Sequence, residues 1–298
     1  MRTDRGSGGA PSPPSIAAVI NTLNEEVNIA NCLASLLPWV DDVLVVDMES
    51  NDDTVQIALD LGARVKTIAR STHVEAARAE AIDLMDAEWV LVMDADELVP
   101  VSLGLRLREI AHHAEGDMVD IPFRNFLLGA ETTYAGWELE ADSHLRFFRK
   151  GTVSWGRDIH SRPTLLEGAR LITLPRTAEM SMIHLAYLDI HHFVSKMDRY
   201  TTVEAAQQTG RRPSTWRMLR LCANEFATRY FRHRGWRGGW RGFSLSVFMT
   251  FYQFLIWAKS IEAHTGADAT AVRRQYDGIA RDVAADWRAL ATTDQRSV

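Results

Sequence analysis

The chain has 298 residues, 46% hydrophobic and 24% charged, which is the composition of an ordinary globular protein able to bury a sizeable core. A net charge of −6 gives no sign of a polyanionic partner, and the two distant cysteines, Cys32 and Cys222, supply neither a disulfide framework nor a metal cluster, so a reducing cytosol is the default compartment. Residues 1–15 are rich in Gly, Ser and Pro without an apolar run, which predicts a disordered leader and not a signal peptide.

Ile16 to Ile20 reads as a short buried strand. Thr22-Leu23-Asn24-Glu25 has capping-box spacing before a helix carrying Ile29, Leu33, Leu36 and Leu37, which Pro38 stops. Val43 to Val46 is a second strand. The polar turn Asp47 to Asp53 leads into a helix with Val55, Ala58 and Leu61, and Gly62 stands where a C-terminal cap is expected. Val65 to Ile68 is a third strand, Val74 to Met85 an Ala-rich helix, and Trp89 to Met93 a fourth strand.

The fourth strand runs into Asp94-Ala95-Asp96-Glu97. Charge at the end of a buried strand must be solvated, paired or metal-bound. Two carboxylates one residue apart suit a hard cation, Mg²⁺ or Mn²⁺, that completes its shell with waters and substrate phosphates. The competing expectation is a surface turn in which Asp96 caps a helix beginning near Pro100. Strands separated by helices imply a parallel sheet, and in such sheets ligands bind beyond the carboxyl ends of the strands. Those ends carry Asn21, Asp47, Asp94 and Asp96, a convergence that core packing does not require and that favours the metal and nucleotide reading.

Val119 to Phe123 and His144 to Arg149 look like further strands, with Lys150-Gly151 as a turn, and the pattern is helical from about Leu188 onward. Residues 211–241 hold nine Arg and a single acid, Glu225, interleaved with Trp216, Phe226, Tyr230, Phe231, Trp236 and Trp240. The apolar run from Phe243 to Ala258 is 16 residues long, short of the roughly 20 that a membrane-spanning helix needs. An interfacial helix on an anionic membrane surface fits it better. A helix packed on the core and a homo-oligomer contact are the alternatives. No nucleic-acid module is present, and neither His112-His113 nor His191-His192 has zinc-ligand spacing.

These motifs resemble the family 2 glycosyltransferases of GT-A fold, and among them the lipopolysaccharide-core branch. Val19-Ile20-Asn21-Thr22-Leu23-Asn24-Glu25-Glu26 resembles the family opening, and Val45 to Thr54 its second-strand signature. Asp94-Ala95-Asp96-Glu97 matches its metal motif. Arg124-Asn125-Phe126, Leu145 to Arg149, Ile159-His160, His184 to Tyr187 and Arg199-Tyr200 are similar to the branch. The likeness runs from about Ile16 to Lys259. There are two departures: Glu49 stands where the family has Gly, and Ala79 where its Arg-Asn pair has Asn.

The resemblance implies an α/β fold with a Rossmann-like, mostly parallel sheet flanked by helices. Its divisions would be a leader (1–15), a catalytic domain (16–187) and a helical C-terminal region (188–298). It implies a metal-dependent, inverting transferase that moves a sugar from a nucleotide-diphosphate donor to an acceptor hydroxyl. The setting would be cytoplasmic, peripheral on the inner face of the membrane. Asp96, with Asp94 directly or through water, would hold Mg²⁺ or Mn²⁺. Asn21, Asn24, Glu25, Asp47, Arg78 and Asp94 would bind the nucleotide-sugar. The general base is sought among Glu138, Glu140, Asp142 and Asp158, and Asp142 is chosen for its place four residues before Arg146. His160 and His184 are candidates for diphosphate or acceptor contact. A nucleotidylyltransferase or a Rossmann dehydrogenase would need a Gly-rich loop where Asn21-Thr22-Leu23-Asn24 stands. A catalytically silent scaffold of the same fold is the alternative from another class.

Overall fold

A computed structural model describes residues 13–69, 75–155, 163–207, 214–266 and 269–294. The expected leader falls almost wholly outside them. The first half alternates β1 (Ile16–Thr22), α1 (Ile29–Leu36), β2 (Asp42–Asp47), α2 (Thr54–Asp60), β3 (Arg64–Thr67), α3 (Glu75–Leu84) and β4 (Trp89–Asp94). These strands pair in parallel in the order β3-β2-β1-β4. Every residue of β1 is buried, as continuous apolar runs in parallel sheets require. Ile16, Ala18 and Ile20 join a core with Leu33 and Leu36 of α1, while Ala17 and Val19 face the opposite side with Ala81 and Ile82 of α3.

The register aligns the polar strand ends. Asn21 lies beside Val46 of β2 and Asp94 of β4, and Thr22 lies beside Asp47. The chain moves outward from β1 to β3 and then returns to the far side of β1 as β4. The crevice at such a reversal is where α/β sheets bind ligands.

Two sequence expectations are corrected here. The capping box at Thr22 does not form: Thr22 ends β1, and α1 begins only at Ile29. Asn24 takes a left-handed conformation, φ +57°, and the Glu25 carbonyl accepts the Asn28 and Ile29 N–H groups, so the chain turns before it coils. Nor does Asp96 cap a helix. The next helix follows Pro100, with no side-chain cap, and Asp96 is buried.

Beyond β4 come β5 (Glu97–Leu98), α4 (Val101–His113), β6 (Met118–Leu127), β7 (Ala130–Glu131) and β8 (Ser143–Arg149). The short strands β9 (Val153–Ser154), β10 (Thr164–Leu165) and β11 (Leu171–Thr173) precede β12 (Met182–Tyr187). The sheet continues from β4 as β8-β6-β12-β5. Here β8 is antiparallel to both β4 and β6, and β12 is parallel to β6, so this half is mixed. Trp89 of β4 stacks on Phe147 of β8 at 4.8 Å and fixes the seam between the halves. Removing either ring would cost about 3–5 kcal/mol.

The remaining described residues are helical: α5 (Ile190–Gln207), α6 (Thr215–Ala227), α7 (Gly239–Thr265) and α8 (Ala269–Asp294), with a π turn and a 3₁₀ turn between α6 and α7. Phe193 and Met197 of α5 and Leu245 of α7 pack on Leu127, Leu128 and Tyr134 at the end of β6. This third cluster holds the helices against the sheet. No described helix is long and apolar enough to cross a membrane.

Candidate active site

A cavity of about 1220 Å³ opens at the carboxyl ends of β1 and β4 and is walled by β6, β8, β12 and α5. Its floor is a balanced set of buried and half-buried charges. Asp94 closes β4. Arg146 Nη2 of β8 donates to Asp94 Oδ2 at 2.9 Å and to Glu97 Oε1 at 2.7 Å, and Arg78 of α3 pairs with the other Asp94 oxygen. Burial opposes the Asp94 charge, but Arg78 and Arg146 hold its carboxyl far below the ordinary carboxylate range. Burial pushes Glu97 upward against the pull of Arg146. Burial also works against Arg146, yet Glu97 and Asp94 keep it firmly protonated.

Asp96 is served from the opposite wall. Lys196 Nζ of α5 lies 3.1 Å from its Oδ2, and His184 Nε2 of β12 lies 3.7 Å from the same oxygen. Desolvation disfavours the charged forms of His184 and Lys196, but Asp96 raises both pKa values above their ordinary levels. Asn125 of β6 connects this cluster to a second one. Its Oδ1 is 2.8 Å from His184 Nδ1, and its Nδ2 donates to Asp142 Oδ2 at 2.7 Å. His144 Nε2 is 3.0 Å from Asp142 Oδ1. Desolvation alone would raise the Asp142 pKa. The His144 hydrogen bond and charge, with Asn125, bring it below the ordinary value, so Asp142 is an ionised carboxylate facing the cavity.

Most residues singled out from the sequence converge here. Asn21, Asn24, Glu25, Asp94, Asp96, Asp142 and His184 all line the cavity. Asn21 is buried with both side-chain polar atoms unpartnered, an arrangement that a bound polar ligand would relieve. Burial raises the Glu25 pKa although Asn28 donates to it. Among the described residues, Arg78 reaches the site through Asp94. Asp47 lies behind the cavity lining, next to Met48, and its two oxygens accept from the Ser50 N–H and hydroxyl. That pairing shapes the loop in which Glu49 sits at φ +57°, a conformation that costs a side-chain-bearing residue about 1 kcal/mol. Of the other acids considered, Glu138 pairs with His233. Asp158 and His160 lie outside the described residues.

The loops after β1 and β2 are tied together. The Asn24 N–H donates to Ser50 Oγ, the Asn51 N–H to Asn24 Oδ1, the Glu25 N–H to Thr54 Oγ1 and the Asp53 N–H to Glu26 Oε2, all at 2.8–3.0 Å.

Sequence reasoning gave no role to Asn125, His144, Arg146 or Lys196. The first three were within motifs already noted, and the period-2 alternation of β8 sets His144 and Arg146 on one face. Lys196 carried no signal, because it meets Asp96 from 100 residues away.

Among the described residues no three His, Cys, Asp or Glu are arranged to hold a metal. The donor set still fits a hard cation that keeps waters and phosphate ligands. Asp96 lines the cavity, and its Oδ1 takes no hydrogen bond from the described residues. Asp94 is the weaker candidate, since both of its oxygens face arginines.

Residues 17–161 match the family model described as Glycosyl transferase family 2. The chain is 27% identical over 259 residues to the "Lipopolysaccharide core biosynthesis glycosyltransferase LpsC" of Rhizobium meliloti (strain 1021), covering 84% of this chain and 93% of that protein. It is also 27% identical over 252 residues to the "Uncharacterized glycosyltransferase RT0209" of Rickettsia typhi (strain ATCC VR-144 / Wilmington), covering 82% and 86%. Among solved structures, a glucosyl-3-phosphoglycerate synthase from Mycobacterium tuberculosis in complex with Mn²⁺ and UDP is similar at 23% identity and a TM-score of 0.33. That likeness covers 37% of this chain and 44% of the synthase. The chain is thus similar to the family 2 glycosyltransferases in its matched domain, and to proteins named as glycosyltransferases along most of its length.

Proposed function

We propose that the protein transfers a sugar, with inversion, from a nucleotide-diphosphate donor to an acceptor hydroxyl in the synthesis of a glycolipid or other cell-envelope glycoconjugate. The observation that carries this reading is the cavity floor. Asp94 and Asp96 end a buried strand beside the unpartnered Asn21, with Arg146, Lys196 and His184 gathered around them. Such a set suits a ligand that brings its own negative charge and a cation. The 27% identity to a lipopolysaccharide-core transferase supports the choice of glycoconjugate.

The nucleotide enters over the ends of β1 and β4, where Asn21 offers a free amide and Asn24 and Glu25 form the rim. Mg²⁺ or Mn²⁺, held by Asp96 with Asp94 in support, would offset the charge that develops on the departing diphosphate. Lys196 and His184 stand beside Asp96 and add donors aimed at the same charge. The acceptor oxygen bonds to the anomeric carbon as the bond from that carbon to the diphosphate oxygen breaks. The acceptor's proton passes to Asp142, whose carboxylate Asn125 and His144 hold in place. Attack opposite the leaving group inverts the anomeric centre. A peripheral position on the inner face of the cytoplasmic membrane would bring a lipid-linked acceptor within reach.

Calorimetric titration with UDP and with GDP, each with Mn²⁺ and with EDTA, tests the reading. One nucleotide should bind in a metal-dependent way, and Asp96→Ala should weaken that binding roughly 10-fold or more, in line with the loss of a charged contact. Absence of metal-dependent binding to any nucleoside diphosphate would favour a silent scaffold of this fold.

A further inference from the structure

We propose that the exposed face formed by α6, α7 and the two turns between them is a docking surface for an anionic lipid bilayer, placed beside the cavity mouth. Its functional meaning rests on the transferase reading above. Its existence does not.

The surface begins with aromatic rings turned outward. Trp216 is 81% exposed, Phe231 64% and Trp240 57%. Phe226, Tyr230, Phe231 and Phe243 contact one another with centroids 5.2–6.3 Å apart, so α6, the π turn and α7 share one aromatic patch. Along α7 the exposed Phe243, Val247, Phe251 and Phe254 continue it at helical spacing. An apolar patch of this extent on a globular protein marks an interaction site.

The charge around the patch selects the occupant. Arg217, Arg220, Arg232, Arg234 and Arg237 are exposed and have no carboxylate partner among the described residues. The single acid of the stretch, Glu225, is spent on Arg229. Tryptophan beside arginine is the composition that settles at a headgroup layer, with the ring at the interface and the guanidinium on phosphate. A second copy of the chain fits poorly. A two-fold contact through this face would set like charges against each other.

The patch is also joined to the cavity wall. The Arg229 guanidinium lies 4.7 Å from the centre of the Trp137 ring, which lines the cavity, and donates to the Ala135 carbonyl at 2.7 Å. His233 pairs with Glu138, and Gly238 packs under the Tyr134 ring. The loop after β7 is therefore clasped between the cavity and the basic turns. An acceptor anchored in a bilayer on this face would present its sugar to the Trp137 side of the cavity, which assigns the acceptor to the amphiphilic, lipid-tailed class.

Flotation of the 298-residue chain with vesicles tests this. Vesicles of phosphatidylcholine mixed with phosphatidylglycerol should carry the protein up, and vesicles of phosphatidylcholine alone should not. High salt should weaken the association. The triple variant Arg232→Gln, Arg234→Gln, Arg237→Gln should lose roughly 100-fold in partitioning. Trp216→Ser with Trp240→Ser should lose binding while leaving the charge intact. Nucleotide binding measured on the same preparations should be unchanged, which separates failure of the surface from failure of the transferase reading. Equal binding by wild type and variants, or none by wild type, would overturn the proposal. So would sedimentation of the wild type as a dimer that the same substitutions dissociate, because the face would then join two copies.

Discussion

Asp142 shows what a single residue in this site can be asked. Its carboxylate lies in the cavity, ionised, with Asn125 on one oxygen and His144 on the other. Asp142→Asn keeps the shape and removes the proton acceptor. Transfer should fall by at least about 100-fold, while nucleotide binding by calorimetry stays near wild type. Full activity in this variant would dismiss Asp142 as the base. The same residue carries a pH signature. Burial opposes its charge, but His144 and Asn125 bring the folded pKa below the unfolded value of about 3.9. The stability it contributes is therefore present above that value and lost as pH falls through the folded one. The acid limb of a melting-temperature profile should be shallower in Asp142→Asn than in wild type. At this scale the sequence was informative wherever a polar residue directly follows a buried strand, as at Asn21, Asp94 and Asp96. At Asp47 the carboxylate is turned to the Ser50 N–H and hydroxyl, a contact that strand periodicity does not report.

At the scale of elements, β1 to β4 were readable because parallel strands buried on both faces leave unbroken apolar runs. The start of α1 was misread because Thr22-Leu23-Asn24-Glu25 satisfies the capping-box spacing while the chain is still leaving β1. The pairing of β12 between β6 and β5 could not be read, since it depends on partners far apart in the chain. The hinge between α6 and α7 depends on small residues. A Cβ on Gly242 would lie 1.9 Å from the Gly235 carbonyl oxygen, an approach that no side chain can share. Gly242→Ala should therefore destabilise the protein by about 3 kcal/mol or more, seen as a melting temperature lower by roughly 6–12 °C. An unchanged melting temperature would mean that α7 does not rest on this turn. The basic turns, and with them the patch above, depend on that packing.

At the scale of the whole molecule, the cavity joins a sheet built from the first half of the chain to a helix that begins at Ile190. Lys196 of α5 meets Asp96 of the β4–β5 turn, which makes α5 part of the cavity and not an appendage. The last helix is different. Tyr276, Ile279, Val283 and Trp287 of α8 are all more than half exposed, so α8 lends little to the core. A chain ended after Gly266 should melt within about 2 °C of the full chain and bind nucleotide equally. A larger fall would show that α8 packs where it now looks free. The cross-tied loops after β1 and β2 have a consequence for inheritance. The Asn24 and Glu26 side chains accept from the Asn51 and Asp53 backbone N–H groups, so a change at Asn24 or Glu26 is felt in the loop after β2, whereas one at Asn51 or Asp53 leaves the donor in place. Descendants of this sequence would therefore vary more freely at Asn51 and Asp53, which contribute a backbone N–H that any residue except proline supplies, than at Asn24 and Glu26, whose side chains hold the two loops together.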